Sequence, residues 1–297
     1  MRVPGKTSDL WWLFSRQTVN VTPNASVLNA GLLMLERNFR HLPVIAEGGR
    51  IIGIISAQDV VDSLNLALVG DSTARQIIEA LQIPVQRVMS LHPVVVEKGD
   101  GLLMVTKKII NYNIGALPII NEQGVIQGII TLRDVVGLIG VSSEPLNVKV
   151  SEIMNTNVTS VNPTTPLSQA IQLLSKRRVR RLPIISEGQV RGMFTSKDIL
   201  RHLARLVSSA KPDEKFDRLI SEFMTREVIT ISKEDDIRVA AFRMMIFGMG
   251  GLVVDDLPSG IALITERDLI KKLSQERSIE FVMKAMQFEL EVEAATY

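Results

Sequence analysis

At 297 residues, with 46% apolar and 22% charged side chains, the chain is long enough for two ordinary domains, each with its own core. A net charge of +2, the lack of cysteine and three scattered histidines (His41, His92, His202) exclude a disulfide framework, a thiolate or histidine-rich metal site and a cysteine nucleophile, and give no charge-based case for nucleic acid. No apolar run reaches the roughly 18 residues of a membrane span, and no signal-cleavage pattern follows the amino-terminal basic residue, so a cytoplasmic protein without a membrane partner is expected.

In chain order, a first unit (10–72) opens on the apolar pair Leu13-Phe14, continues with the β-branched TVNV (18–21), and closes with Leu42-Pro43 and GIISAQD (53–59). The second (84–140) repeats this order as Val88-Met89, PVVV (93–96), Leu117-Pro118 and GIITLRD (128–134). VSSEPLNVK (141–149) is the most linker-like stretch. A third unit (149–206) carries Ile153-Met154, VTSV (158–161), Leu182-Pro183 and GMFTSKD (192–198). The fourth (218–275) has Phe223-Met224, VITI (228–231), Leu252-Val253 in place of Leu-Pro, and ALITERD (262–268). Beyond Leu273 a tail (276–297) has helical character to about Leu290. Such fixed-period similarity marks a repeated structural unit.

The third unit shows what the repeat encodes. VTSV alternates as a short strand, and Asn162-Pro163-Thr164-Thr165-Pro166 supplies a turn and a helix start. Leu167, Ala170, Ile171 and Leu174 then fall at i, i+3, i+4, i+7, one buried stripe of a helix ending in KRRVRR (176–181). LPII and VRGMF, separated by the polar Ser186-Glu187-Gly188-Gln189, read as a hairpin. Thr195 opens a second helix with Ile199, Leu200, Leu203 and Leu206 on its apolar face. The pattern is α+β, strand-helix-strand-strand-helix, four times over. A three-stranded sheet of this kind needs a cover, and pairing consecutive units supplies one, giving modules at 1–140 and 141–297.

The motif Gly-x-x-Ser/Thr-x-x-Asp admits two readings. Ser56 with Asp59, Thr131 with Asp134, Thr195 with Asp198 and Thr265 with Asp268 all fit a capping box. The same groups fit a ligand site: a helix amino terminus and a hydroxyl for a phosphate, a carboxylate for two ribose hydroxyls, and Gly53, Gly128 or Gly192 for close approach to a strand. One further feature alternates. Arg40-His41 and Arg180-Arg181 precede the Leu-Pro step in units 1 and 3, where units 2 and 4 have Gly115-Ala116 and Gly250-Gly251.

These motifs resemble CBS domains, the modules named for cystathionine beta-synthase, over residues of about 10 to 275. Among chains of four such units the sequence is most similar to the adenine-nucleotide-sensing gamma subunit of AMP-activated protein kinase and to small archaeal proteins built the same way. The resemblance implies paired units, or Bateman modules, associating into a disc that one chain completes as a monomer or two chains form as a homodimer. It implies AMP, or ADP or ATP, as a regulatory ligand, with no catalytic cofactor and a separate protein effector. It further implies Asp59, Asp134, Asp198 and Asp268 at the ribose, with Ser56, Thr131, Thr195, Thr265, Arg40, His41, Arg180 and Arg181 at the phosphate, tightest in unit 3 and next in unit 1. The base would lie against Thr18-Val19, Pro93-Val94, Val158-Thr159 and Val228-Ile229.

Two other ligand classes and one reaction class compete with this. S-adenosylmethionine keeps the ribose contact without a phosphate and suits units 2 and 4. Nucleic acid could use the basic stretch 176–205, though with only two Trp and two Tyr stacking is not a general mode. Catalysis has no nucleophile elbow or phosphate-binding loop motif to support it, and a fourfold repeat argues for repeated binding, so a non-enzyme is expected.

Overall fold

The computed structural model describes residues 18–97, 99–142, 145–209, 211–257 and 260–275, so the expected tail helix and the pair Leu13-Phe14 lie outside the described residues. Repeat 1 contains α1 (Val27–Glu36), β1 (His41–Ile45), β2 (Ile51–Ser56) and α2 (Ala57–Ala67), and is followed by α3 (Ala74–Ala80) and β3 (Ser90–Leu91). Repeat 2 contains β4 (Val96–Glu97), α4 (Leu102–Asn111), β5 (Ala116–Ile120), β6 (Ile126–Thr131) and α5 (Leu132–Gly140). Repeat 3 has α6 (Leu167–Arg177), β7 (Arg181–Ser186), β8 (Gln189–Thr195) and α7 (Ser196–Ser208). Repeat 4 has β9 (Thr230–Ser232), α8 (Ile237–Ile246), β10 (Gly251–Asp255), β11 (Ala262–Thr265) and α9 (Glu266–Gln275).

The stripes predicted in repeat 3 are the buried ones: Leu167, Ala170, Ile171 and Leu174 on α6, and Ile199, Leu200, Leu203 and Leu206 on α7. β7 and β8 pair antiparallel, joined by a two-residue turn in which Glu187 (φ 54°) and Gly188 (φ 72°) are both left-handed, tighter than the four-residue turn expected. The opening strand is shorter than expected. TVNV and VTSV each contribute one parallel bridge, Val21 to Val44 and Val161 to Ile184, while β4 and β9 run two and three residues beside β5 and β10.

The chain folds as two compact units built from alternate repeats. One comprises Val19–Pro93 with Thr159–Val228, thus repeats 1 and 3; the other holds Val94–Val158 and residues from Ile229, thus repeats 2 and 4. These compact units follow alternate repeats and cut across the expected modules 1–140 and 141–297, in which consecutive repeats pair to cover their sheets. The reason is helical. In the first unit α2 packs on α6 and α1 on α7, and in the second α5 packs on α8 and α4 on α9, so each helix stripe is covered by the repeat after next. Each unit has one continuous core, in which α2 and α6 bury Val60, Val61, Leu64, Ala170 and Ile171, and α5 and α8 bury Val135, Val136, Ala240 and Ala241.

Two boundary expectations also change. The stretch 145–150 is packed rather than linker-like: Val148 and Val150 are buried, Val150 N–H donates to Asp235 O, and Val148 O accepts from Ile237 N–H at the start of α8. The same device caps α1 and α6, through Ile83 O to Val27 N–H and Arg218 O to Leu167 N–H. The apolar pairs that open the sequence units also sit on neighbouring repeats. Met89 packs on Gly53 of repeat 1, Met224 on Gly192 of repeat 3, and Asn155, just after Ile153-Met154, bridges Leu263 of repeat 4.

Candidate functional site

At the end of β2, β6, β8 and β11 the chain turns directly into α2, α5, α7 and α9, and each turn is held by its aspartate. Asp59 Oδ2 accepts from Ser56 N–H and Oγ–H, both at 2.7 Å. Asp134 Oδ2 takes Thr131 N–H and Oγ1–H at 2.7 Å each. Thr195 donates to Asp198 Oδ2 at 2.8 and 2.6 Å, and Thr265 to Asp268 Oδ2 at 2.9 and 2.6 Å. The capping arrangement is therefore realised in all four repeats, by one carboxylate oxygen. The first N–H of each helix is committed too, to the carbonyl of Arg40, Gly115, Arg180 or Gly250. Of the donors imagined for a phosphate cradle, two per helix are already spent.

The second oxygen separates the repeats. Asp59, Asp134 and Asp268 are half-buried, and Oδ1 of each takes no hydrogen bond from a described residue. Asp198 is 2% exposed, and its Oδ1 accepts from the Arg201 guanidinium and from Thr225 Oγ1 at 3.3 Å. Burial pushes the carboxyls of Asp59, Asp134 and Asp198 above the usual range, against the opposing pull of the Ser56, Thr131 and Thr195 hydrogen bonds. Sequence reasoning did not find Arg201 or Thr225. Arg201, three residues on along α7, was legible as an i,i+3 partner, but Thr225 reaches Asp198 only because Thr225 bridges Met193 across the fold.

The half-buried Arg40, His41, Arg180 and Arg181 flank this end of the sheet in repeats 1 and 3, His41 paired with Ser56 and Arg181 with Thr195. In repeats 2 and 4, Ala116 pairs with Thr131 and Gly251 with Thr265, so no charge faces the motif from this strand. The residues expected around a base, Thr18-Val19, Pro93-Val94, Val158-Thr159 and Val228-Ile229, are all half-buried.

Gly53 and Gly192 serve a different purpose from the one expected. A Cβ at Gly53 would lie 2.4 Å from Met89 Sδ, and one at Gly192 2.7 Å from Met224 Sδ and 2.9 Å from Thr225 O. The space that a ligand was expected to use is filled by the protein's own chain. Gly128 is buried in β6 at the matching position.

A residue not anticipated clasps the repeats. In repeats 2, 3 and 4 the residue just before the motif aspartate reaches the turn after the first helix of its packing partner: Arg133 to Gly248 O (2.9 Å), Lys197 to Asn38 Oδ1 (2.7 Å) and Arg267 to Asn113 O (3.2 Å). Arg133 also pairs with the buried Glu266 at 3.5 Å. Cations at a helix carboxy terminus are favoured by its dipole. Lys197 on Asn38, Arg201 on Asp198 and Arg191 on Glu187 commit three of the nine Lys and Arg residues over 176–205 within the protein.

No helix among the described residues is long and apolar enough to cross a membrane, and none of them form a cluster of three metal-ligating acids or histidines. A CBS domain model matches residues 9–66, 85–140, 150–205 and 220–275. An uncharacterized 33.4 kDa protein in a ribosomal RNA operon of Thermofilum pendens is 30% identical over 280 residues, 89% of this chain and 90% of that one. The crystal structure of protein MJ1225 from Methanocaldococcus jannaschii, described as a proposed archaeal homologue of γ-AMPK, superposes with a TM-score of 0.75 at 24% identity, covering 89% of this chain and 99% of that chain. An uncharacterized conserved protein from Pyrococcus horikoshii gives 0.59 at 23% identity, covering 88% and 97%.

Proposed function

The chain belongs to the CBS domain family, and from that premise we propose that it is a regulatory sensor of adenine nucleotides, AMP, ADP or ATP, that reports ligand occupancy to a partner protein. The observation that carries this reading is the half-used carboxylate. In repeats 1, 2 and 4 one oxygen of the motif aspartate closes the helix cap and the other is left as an acceptor at the end of a sheet, within reach of a ribose hydroxyl. A cap alone uses one oxygen, and a second carboxylate oxygen left half-buried without a donor costs stability.

Repeat 1 adds the basic pair Arg40-His41 and is the site proposed to bind a phosphate-bearing ligand most tightly. Repeat 3, expected to lead, is placed behind it, because Arg201 and Thr225 must first leave Asp198. Neutral repeat 2 suits a ligand without phosphate, and S-adenosylmethionine is the second reading for it.

The test is calorimetric titration with AMP, ADP, ATP and S-adenosylmethionine on the wild type, Asp59→Asn and Asp134→Asn. An asparagine keeps an acceptor for the cap and removes the buried charge. The expected outcome is adenine-ligand binding weakened about tenfold or more, since charge-assisted bonds contribute roughly 1.5–3 kcal/mol, in variants whose melting temperature is unchanged or higher. Silence with all four ligands, together with melting temperatures lowered alike in both variants, would leave the aspartates as caps and overturn the reading.

A further inference from the structure

Each repeat places a parallel rung beside the strand that carries Leu-Pro in repeats 1 to 3 and Leu252-Val253 in repeat 4. In repeat 3, Val161 N–H donates to Pro183 O and Val161 O accepts from Ile185 N–H; repeat 1 does the same with Val21, Pro43 and Ile45. Two residues upstream, the next rung of such a ladder is a donation from residue 183 to the carbonyl of Thr159, or from residue 43 to that of Val19. Proline has no N–H to give. The ladder therefore stops at one rung. Repeat 2 has the same register, Val96 beside Ile119, so Val94 is level with Leu117 and Pro118 is the residue whose N–H would meet the Val94 carbonyl. Repeat 4 is the internal control: Val253 stands where the proline would be, and its N–H donates to Ile229 O at 3.3 Å, extending β9 to three residues.

The carbonyls of Val19, Val94 and Thr159 accordingly take no backbone hydrogen bond from a described residue, whereas the equivalent Ile229 carbonyl does. Register also fixes where they lie. With Val161 beside Ile184, Thr159 is level with Leu182, one step from the pair Arg181 and Thr195, so carbonyl, basic residue and motif threonine share one end of the sheet. A half-buried carbonyl without a donor is an unmet acceptor, and the amino group of an adenine is a donor where a 6-oxo purine presents an acceptor.

We propose that the Leu-Pro proline is a specificity-determining residue: by withholding its N–H it leaves the carbonyl of Val19, Val94 and Thr159 to read the 6-amino group of a purine, so repeats 1 to 3 discriminate AMP from IMP and repeat 4 does not. This rests on the proposed ribose site and adds to it the choice of base. No proline side chain touches the ligand; the proline positions an acceptor.

The experiment is titration of the full chain with AMP and with IMP. The wild type should prefer AMP by about tenfold, the scale of one hydrogen bond and one repulsive contact. The triple variant Pro43→Ala, Pro118→Ala, Pro183→Ala restores three N–H groups and should bring the AMP-to-IMP ratio towards one while both ligands still bind. Val253→Pro runs the other way and adds an AMP-preferring site; the same step is accommodated as proline in the other three repeats, so this variant decides the matter if the triple variant is unfolded. An unchanged ratio in the folded triple variant, or no added AMP-preferring site in Val253→Pro, overturns the inference. Equal binding of AMP and IMP by the wild type, lost in Asp59→Asn, overturns it while leaving the sensor reading intact. Binding of neither nucleotide removes both.

Discussion

Asp134 and Asp198 share a motif position and a cap, yet one keeps an open oxygen and the other is enclosed by Arg201 and Thr225. Their raised carboxyl pKa values carry the same sign. A carboxylate whose folded pKa lies above its unfolded value contributes stability at low pH that is lost as pH rises through the folded value, so at neutral pH these charges cost stability. His202 has the opposite pattern. It is 5% exposed, between the rings of Phe216 and Phe223 at 5.1 and 4.4 Å, and its Nε2 is buried with no hydrogen-bond partner among the described residues. Burial, with Arg218 and Arg205 nearby and Glu222 opposing them, lowers its pKa to about 4. Neutral His202 therefore supports the fold fully above about 6.5, and that support is lost as pH falls from there towards 4. Melting temperatures of the wild type and His202→Leu measured from pH 7.5 to 4 should diverge by roughly 5 °C in favour of the variant at the acid end; parallel curves would show that His202 is not the titrating group. None of this was legible from sequence, where His202 is one histidine on a helix whose aromatic neighbours come 14 and 21 residues later.

Helices and hairpins were legible because each is coded locally: the stripes of α6 and α7 follow helical spacing, and the hairpins are bounded by turn residues. What local coding did not carry was the contact a residue makes with a neighbouring strand or repeat. The opening strands are cut short by prolines in another strand, and the motif glycines are there to admit Met89 and Met224. Gly140, not singled out beforehand, is the clearest case of such a constraint. A Cβ there would meet Phe242 Cα and N at 2.9 Å, which are backbone atoms of α8 with nowhere to move. Gly137, three residues earlier on α5, would bring its Cβ no nearer than 3.8 Å to Met245 Sδ. Gly140→Ala should destabilise by about 1–3 kcal/mol through overpacking, whereas Gly137→Ala should be neutral or stabilising by up to about 1 kcal/mol from helix propensity. Urea denaturation of both variants checks the pair, and equal effects would contradict the close α5–α8 approach.

For the whole molecule, a repeat count of four was readable and the helix partners were not, since four similar apolar stripes specify that each needs a cover without saying which covers which. The covers come from alternate repeats: α2 lies on α6 and α5 on α8. Residues 1–140 taken alone would keep α2 and α5 and lose both partners, uncovering Val60, Val61 and Leu64 in one repeat and Val135, Val136 and Ile139 in the other, all at most 2% exposed in the full chain. Each such side chain contributes about 1.5–3 kcal/mol when buried, so leaving two stripes in water is a strong drive to association. The available substitute is a second copy, because repeats 1 and 2 carry the same stripes as repeats 3 and 4, and a two-fold interface lets like cover like. The fragment 1–140 should therefore sediment as a dimer at micromolar concentration, with Leu64→Glu or Val136→Glu shifting it to an unstable monomer. A stable monomeric fragment with a cooperative melt would mean that consecutive repeats hold each other, and that the alternate helical packing is secondary to it.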